Sequence, residues 1–137
     1  MNVRPPKDED LKVNDPEDVA RIMQKVLLRQ NKIRRQQEYF WVVGLNTAKD
    51  IVFIELAALG GLNKVHVKPA DLFRVAVQKV ADSVIFVHNH PSGKTEPSQS
   101  DIHTIRKLRN AGQTLEIDVV DAIIITEEDF TSFFDKL

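Results

Sequence analysis

The sequence predicts an α/β fold of the α+β type, a single mixed β-sheet flanked by helices. Three observations predict it. Two runs of β-branched and aromatic residues, YFWVVGL at 39–45 and IVFIELAAL at 51–59, stand in tandem. Residues 84–87 are wholly apolar between Ser83 and His88, the mark of a central strand covered on both faces. Helical patterns lie between and around these runs without regular strand–helix–strand alternation or internal repeat. A length of 137 residues suits one domain, burying roughly 70% of its unfolded surface. With 42% hydrophobic and 28% charged residues, the composition is that of a folded globular chain rather than a disordered or collagenous one.

The elements follow in order. Residues 1–14 are polar, with Pro5-Pro6 and the run Lys7-Asp8-Glu9-Asp10, and read as a tail or loosely docked arm ahead of a single domain at 15–137. Asp15 is a good N-cap, Pro16 suits the first helical position, and Glu17 and Asp18 favour the first turn. A helix over about 16–33 is expected, with Val19, Ile22, Met23, Val26 and Leu27 on its apolar face. The two β-runs form an antiparallel pair joined by a polar loop at 46–50. After Gly60-Gly61 a short extended segment around Val65 and Val67 precedes a helix opened by Pro69 and running to about 81. The buried strand at 84–87 leads through a loop into a helix over about 98–110, ended by Ala111 and Gly112 as its C-terminal glycine. A strand within 115–125 and a short terminal helix within 127–134 complete the chain.

The charge balance, 19 Lys+Arg against 20 Asp+Glu, supplies no global field to draw the chain onto nucleic acid or an anionic membrane. No apolar stretch approaches the roughly 20 residues of a spanning helix, and the polar N-terminus lacks the apolar region of a secretory signal. A cytoplasmic location is the expectation. Cysteine is absent, so disulfides and thiolate metal sites are excluded and any transition metal must be held by nitrogen and oxygen. The histidines are His66, His88, His90 and His103.

Placement singles out two of them. His88 and His90 stand two apart at the end of a strand, where alternate side chains share a face and both imidazoles can converge. Ser98 then opens a helix with Asp101 in its first turn, beside the strand end. Two imidazoles and a carboxylate leave a fourth tetrahedral position open, the arrangement of catalytic rather than structural zinc. Ser98-x-x-Asp101 equally fits a capping box, and capping and ligation do not exclude each other.

His88-Asn89-His90-Pro91-Ser92-Gly93, followed by Pro97-Ser98 and Asp101, resembles the HxH…SxxD signature of the JAB/MPN (JAMM) metalloproteases. With Ala111-Gly112 and Val120-Asp121-x-Ile123-Ile124-Ile125, it resembles more narrowly the bacterial RadC-like branch, historically called DNA repair proteins. The likeness runs over about 38–134. It implies the JAB/MPN (cytidine-deaminase-like) architecture and Zn2+ held by His88, His90 and Asp101, with Ser98 stabilising the tetrahedral intermediate. It also implies an upstream glutamate that holds the water and shuttles its proton. Glu38, in Glu38-Tyr39-Phe40, matches the family's E-x-F context. Glu55 is its rival, since a carboxylate inside a strand is costly unless it serves a site. The implied activity is that of a zinc-dependent metallohydrolase, a metallopeptidase or isopeptidase acting on a peptide or protein substrate.

The chain departs from the pattern in three places. Ala122 follows Asp121 where relatives usually carry His, Ala70 follows Pro69 where an arginine is common, and residues 1–37 lack the helix-hairpin-helix region of longer relatives. His66 and His103 have no counterpart in the metal motif and are assigned to structure. Two other functions compete. Lys25, Arg29, Lys32, Arg34 and Arg35, with no acid between Asp18 and Glu38, offer a patch for nucleic acid, or a solvated basic helix end. A non-catalytic MPN-type interaction module is the other, though such relatives generally lose the ligands retained here. The letters HNH do not make a nuclease, whose name refers to dispersed residues in a different metal site.

Overall fold

In the computed structural model, which describes residues 1–60 and 68–137, the order is α1 (Pro16–Leu28), β1 (Tyr39–Leu45), β2 (Ile51–Leu59), α2 (Pro69–Gln78), β3 (Ser83–Asn89), α3 (Gln99–Leu115), β4 (Asp118–Ile125) and β5 (Phe130–Ser132). The strands form one mixed sheet ordered β2-β1-β3-β4-β5. β1 pairs antiparallel with β2 and β3, β3 pairs parallel with β4, and β4 pairs antiparallel with β5. This is the single mixed sheet flanked by helices that the sequence predicts. His66 and the segment expected around Val65 and Val67 lie outside the described residues. Among the described residues no helix is long and apolar enough to cross a membrane.

The period of two divides the core into layers. Phe40, Val42, Phe86, Ala122 and Ile124 face α2 and α3, meeting Phe73, Ile105 and Leu108. Trp41, Val43, Ile85, Val87 and Ile123 face α1 and its Ile22, Met23 and Val26. Each large apolar side chain so buried contributes about 1.5–3 kcal/mol relative to exposure. β3 lies in the middle and is buried along its whole length, as its apolar run predicts. Gly44 in β1 is set by packing: a Cβ there would run into the Phe53 ring.

Several expected boundaries shift. α1 stops at Leu28 rather than near 33, because the apolar stripe ends there and the Asn31 side chain accepts from Arg34 N–H at 2.8 Å, turning the chain into a 3₁₀ segment, Arg34–Gln36. α2 ends at Gln78, with Val80 at φ 54° and Ala81 N–H bonded to the Ala76 carbonyl at 2.9 Å. A β-branched residue thus holds a position usually given to glycine.

α3 runs through Gly112 to Leu115 and closes with Glu116 in the left-handed region. Gly112 is therefore not the terminator. It is needed because a Cβ there would come 2.5 Å from the Ile117 carbonyl oxygen, where the chain folds back to donate Ile117 N–H to Gly112 at 2.9 Å. The expected terminal helix within 127–134 is replaced by β5 and a 3₁₀ turn, Phe134–Lys136. Thr126 and Asp129 close a tight turn, with Asp129 N–H donating to Thr126 Oγ1 at 2.9 Å, and this directs Phe130 back along β4.

Residues 1–14, read as a tail or arm, run beside the outer edge of β2. Val3 N–H donates to Ile54 (2.8 Å), Leu56 N–H to Met1 (2.9 Å), Ile51 N–H to Leu11 (2.9 Å) and Val13 N–H to Lys49 (2.9 Å). Val3, Leu11 and Val13 pack on the α1 side of the core. The arm thereby covers part of an edge that would otherwise present unpaired backbone groups.

Candidate metal centre

The site forms where β3 ends and α3 begins. His88, opposite Phe40 of β1, points towards the α2 and α3 side and packs edge-on against Phe133. His90 lies just beyond the strand, held in line by its N–H bond to the Ile125 carbonyl at 3.1 Å. Pro91, Ser92 and Gly93 then turn the chain. Gly93 N–H returns to the His90 carbonyl at 3.1 Å, and its φ of 85° is one that glycine adopts without a steric penalty. The Lys94 carbonyl comes within 3.0 Å of His90 Nδ1. Thr131 Oγ1 on β5 donates to Thr95 Oγ1 at 2.6 Å, fastening this loop to the sheet.

At the start of α3, Ser98 and Asp101 form a reciprocal capping box. Asp101 N–H donates to Ser98 Oγ at 3.0 Å, and Ser98 N–H donates to Asp101 Oδ2 at 2.9 Å. The same Oδ2 lies 3.3 Å from His90 Nε2 and 3.6 Å from His88 Nε2. Both readings of Ser98-x-x-Asp101 therefore meet in one structure, with the cap holding the carboxylate against the two rings.

Electrostatics reinforce that geometry. The Asp101 carboxylate raises the His90 pKa above its ordinary value against the opposing effect of burial, with further help from the Lys94 carbonyl and the charge of Glu38. Burial acts to raise the Asp101 pKa, but the two imidazoles and the Ser98 N–H outweigh it and hold the carboxyl well below the usual carboxylate range.

These residues fit a metal ion. The candidate ligand atoms of His88, His90 and Asp101 all lie within 4.8 Å of one another. A tetrahedron with zinc–ligand arms of about 2.0–2.1 Å has edges of about 3.3–3.4 Å, close to both His–Asp separations. If His90 Nδ1–H donates to Lys94, the lone pair of Nε2 faces a carboxylate oxygen, an arrangement that calls for a proton or a metal between them. His88 is buried with neither ring nitrogen hydrogen-bonded. Unsatisfied buried polar atoms cost about 1–3 kcal/mol each, and a cation at Nε2 would remove one of those costs.

The two other site residues of the sequence reading share this location. Glu38 and Ser98 line a cavity of about 800 Å³ together with His90, Asp101, Gln37 and Leu59. Glu55 does not join them, being opposite Val42 and paired with the Met1 amino group. Sequence reasoning overlooked Asn89, whose side chain accepts from Tyr39 N–H at 2.6 Å and donates to the Gln37 carbonyl at 2.9 Å. Strand alternation was the available signal, since it turns Asn89 away from the face of its histidine neighbours.

The model of the RadC-like JAB domain family matches residues 13–137. The chain belongs to that family. It is 38% identical over 117 residues to a UPF0758 protein of Caldanaerobacter subterraneus subsp. tengcongensis, covering 85% of this chain and 48% of that protein. It is 40% identical over 121 residues to a UPF0758 protein of Desulforamulus reducens, covering 88% and 51%. A UPF0758 protein of Desulforudis audaxviator is 42% identical over 96 residues, covering 70% and 42%. The chain thus spans about half the length of these relatives.

Within this RadC-like JAB domain, the departure at Ala122 falls in the core beside Phe86 and leaves the three candidate ligands in place. Of the basic cluster on and after α1, Lys25 pairs with Glu9, Arg29 donates to the Arg4 carbonyl and Arg35 pairs with Glu127. Three of its five charges therefore have partners within the chain.

Proposed function

We propose that this domain is a zinc-dependent hydrolase of amide bonds, a metallopeptidase or isopeptidase acting on a peptide or protein substrate. The observation that carries the reading is the convergence of His88, His90 and Asp101, with His90 and Asp101 at the wall of a cavity that Glu38 and Ser98 also line. Zinc held by the three ligands would supply Lewis acidity and bring the pKa of a water down towards ~7.

The chain's own residues then have distinct tasks. Glu38 accepts the proton of the attacking water and returns it to the leaving nitrogen, which is general acid–base catalysis by one carboxylate. Ser98 Oγ accepts from Asp101 N–H, leaving its own O–H available to donate to the carbonyl oxygen as negative charge develops there. Asp101, held by the cap, keeps the imidazoles in their relative positions. The burial of His88 and the hydrogen bond at His90 Nδ1 limit ring rotation.

A panel of peptide and isopeptide substrates tests the reading with the wild type, Glu38→Gln and His90→Ala. Zinc-supplemented wild type is expected to cleave at least one member, with each variant slower by 10² or more on the order of general-base and metal contributions. Equal rates from all three proteins would remove the case for metal-dependent catalysis.

A further inference from the structure

Asn89 stands between two candidate metal ligands in sequence, yet its side chain serves a different strand. It is the last residue of β3 and is 1% exposed. Its amide reaches across to the entry of β1, where Oδ1 accepts from Tyr39 N–H at 2.6 Å and Nδ2 donates to the Gln37 carbonyl at 2.9 Å. The orientation of the amide follows from these partners, because a flipped amide would set donor against donor and acceptor against acceptor. Both bonds flank the same residue, Glu38.

The remaining constraints act at the same point. The Glu38 carbonyl accepts from Gly60 N–H at 2.9 Å, so the backbone groups before, at and after Glu38 are all engaged. Tyr39 O–H donates to the Arg34 carbonyl at 3.1 Å, closing the turn that leads into β1. β1 and β3 are paired from Phe40–His88 onward, so the Asn89 amide extends that pairing by one step through a side chain. It stands in place of a further backbone pair, next to a residue that lines the cavity.

We propose that Asn89 is a positioning residue. By bridging Gln37 and Tyr39 it fixes the backbone of Glu38 relative to His88 and His90, and so presents the Glu38 carboxylate to the metal position. The role rests on the reading that Glu38 serves a metal held by His88, His90 and Asp101. A shift of about 1 Å in a catalytic group can cost on the order of 10²-fold in rate, which gives a buried two-armed clamp at this residue a purpose beyond closing the sheet.

Cobalt(II) alone is the probe, because its visible absorption reports coordination and neighbouring groups without any need for a substrate. Wild type, Glu38→Gln, Asn89→Ala, the milder Asn89→Asp and the Asn89→Ala/Glu38→Gln double variant are loaded and compared, with circular dichroism and melting as checks on folding. Both Asn89 variants are expected to bind cobalt and to show the spectral change of Glu38→Gln. In the Glu38→Gln background, Asn89→Ala should add nothing further. A wild-type spectrum from the folded Asn89 variants, or an equal change with and without Glu38, would overturn the positioning role. Failure of wild type to bind cobalt would instead remove the underlying metal reading, and no response to Glu38→Gln would remove the service of Glu38 to that metal, with this role falling in either case.

Discussion

At the scale of single residues, the centre depends on groups that fix how the imidazoles point. His90 presents Nε2 to Asp101 because Nδ1 faces the Lys94 carbonyl, and that carbonyl sits in a loop fastened by the Thr131–Thr95 hydrogen bond. Loss of an outer contact of this kind typically lowers metal affinity 10–100-fold. Thr131→Val is therefore expected to weaken zinc binding about tenfold with little change in melting, and Thr131→Ser to restore it. Equal zinc affinity in wild type and Thr131→Val, measured by competition with a chelating dye, would deny the loop this part.

His88, His90, Ser98 and Asp101 were legible in the sequence because local rules place them. Strand alternation aligns the histidines, and an N-cap with its third helical residue brings the carboxylate to the helix start. Asn89 and Thr131 were not legible in the same way. Asn89 bonds to backbone groups fifty and fifty-two positions away, and Thr131 to a hydroxyl thirty-six away. Neither separation leaves a periodic trace.

At the scale of elements, most strands and helices around the site were readable, and the errors fall at element ends and at β5, where a helix was expected. The motif Ala111-Gly112 looked like a helix stop, whereas Gly112 is there for a close backbone approach and Glu116 takes the left-handed cap. Val80 takes another such position that composition would assign to glycine. β5 is only three residues long, too short for its pattern to outweigh a helical reading.

Asp121 shows how β4 and β5 are joined and how pH acts on that joint. Ser132 O–H donates to its Oδ1 at 2.6 Å and Ala122 N–H at 2.8 Å. Burial raises its pKa above 3.8, the two hydrogen bonds oppose the shift, and the nearby Asp135 charge adds to it. Since the folded-state value is raised, the stability contribution is fully present below the unfolded value and is lost as pH rises through the folded one. Asn at this position keeps an Oδ1 acceptor and has no charge to bury. Asp121→Asn should thus gain on the wild type in chemical denaturation as pH rises from about 3 to about 7. A stability difference that stays constant over that range would contradict this account of the joint.

At the scale of the whole molecule, the layers and the arm explain how a small sheet is covered around the cavity beside His90. α1 covers one face, α2 and α3 cover the other, and the arm lies along β2, with Glu9 held by Arg21 and Lys25 of α1. The basic cluster that suggested nucleic acid thus helps to secure the arm. Near-neutral net charge is consistent with this internal use. Family membership was legible because its motif is specific, while a tail and a loosely docked arm both stayed open for residues 1–14, since few of them are apolar.

The most direct test of the central claim is the metal content of the purified, folded chain after exposure to zinc and removal of the excess. About one zinc per chain is expected for the wild type, with loss of that zinc in His90→Ala under the same conditions. Folded wild type that retains no zinc, or His90→Ala that retains as much as wild type, would contradict the assignment of His88, His90 and Asp101 as the metal centre.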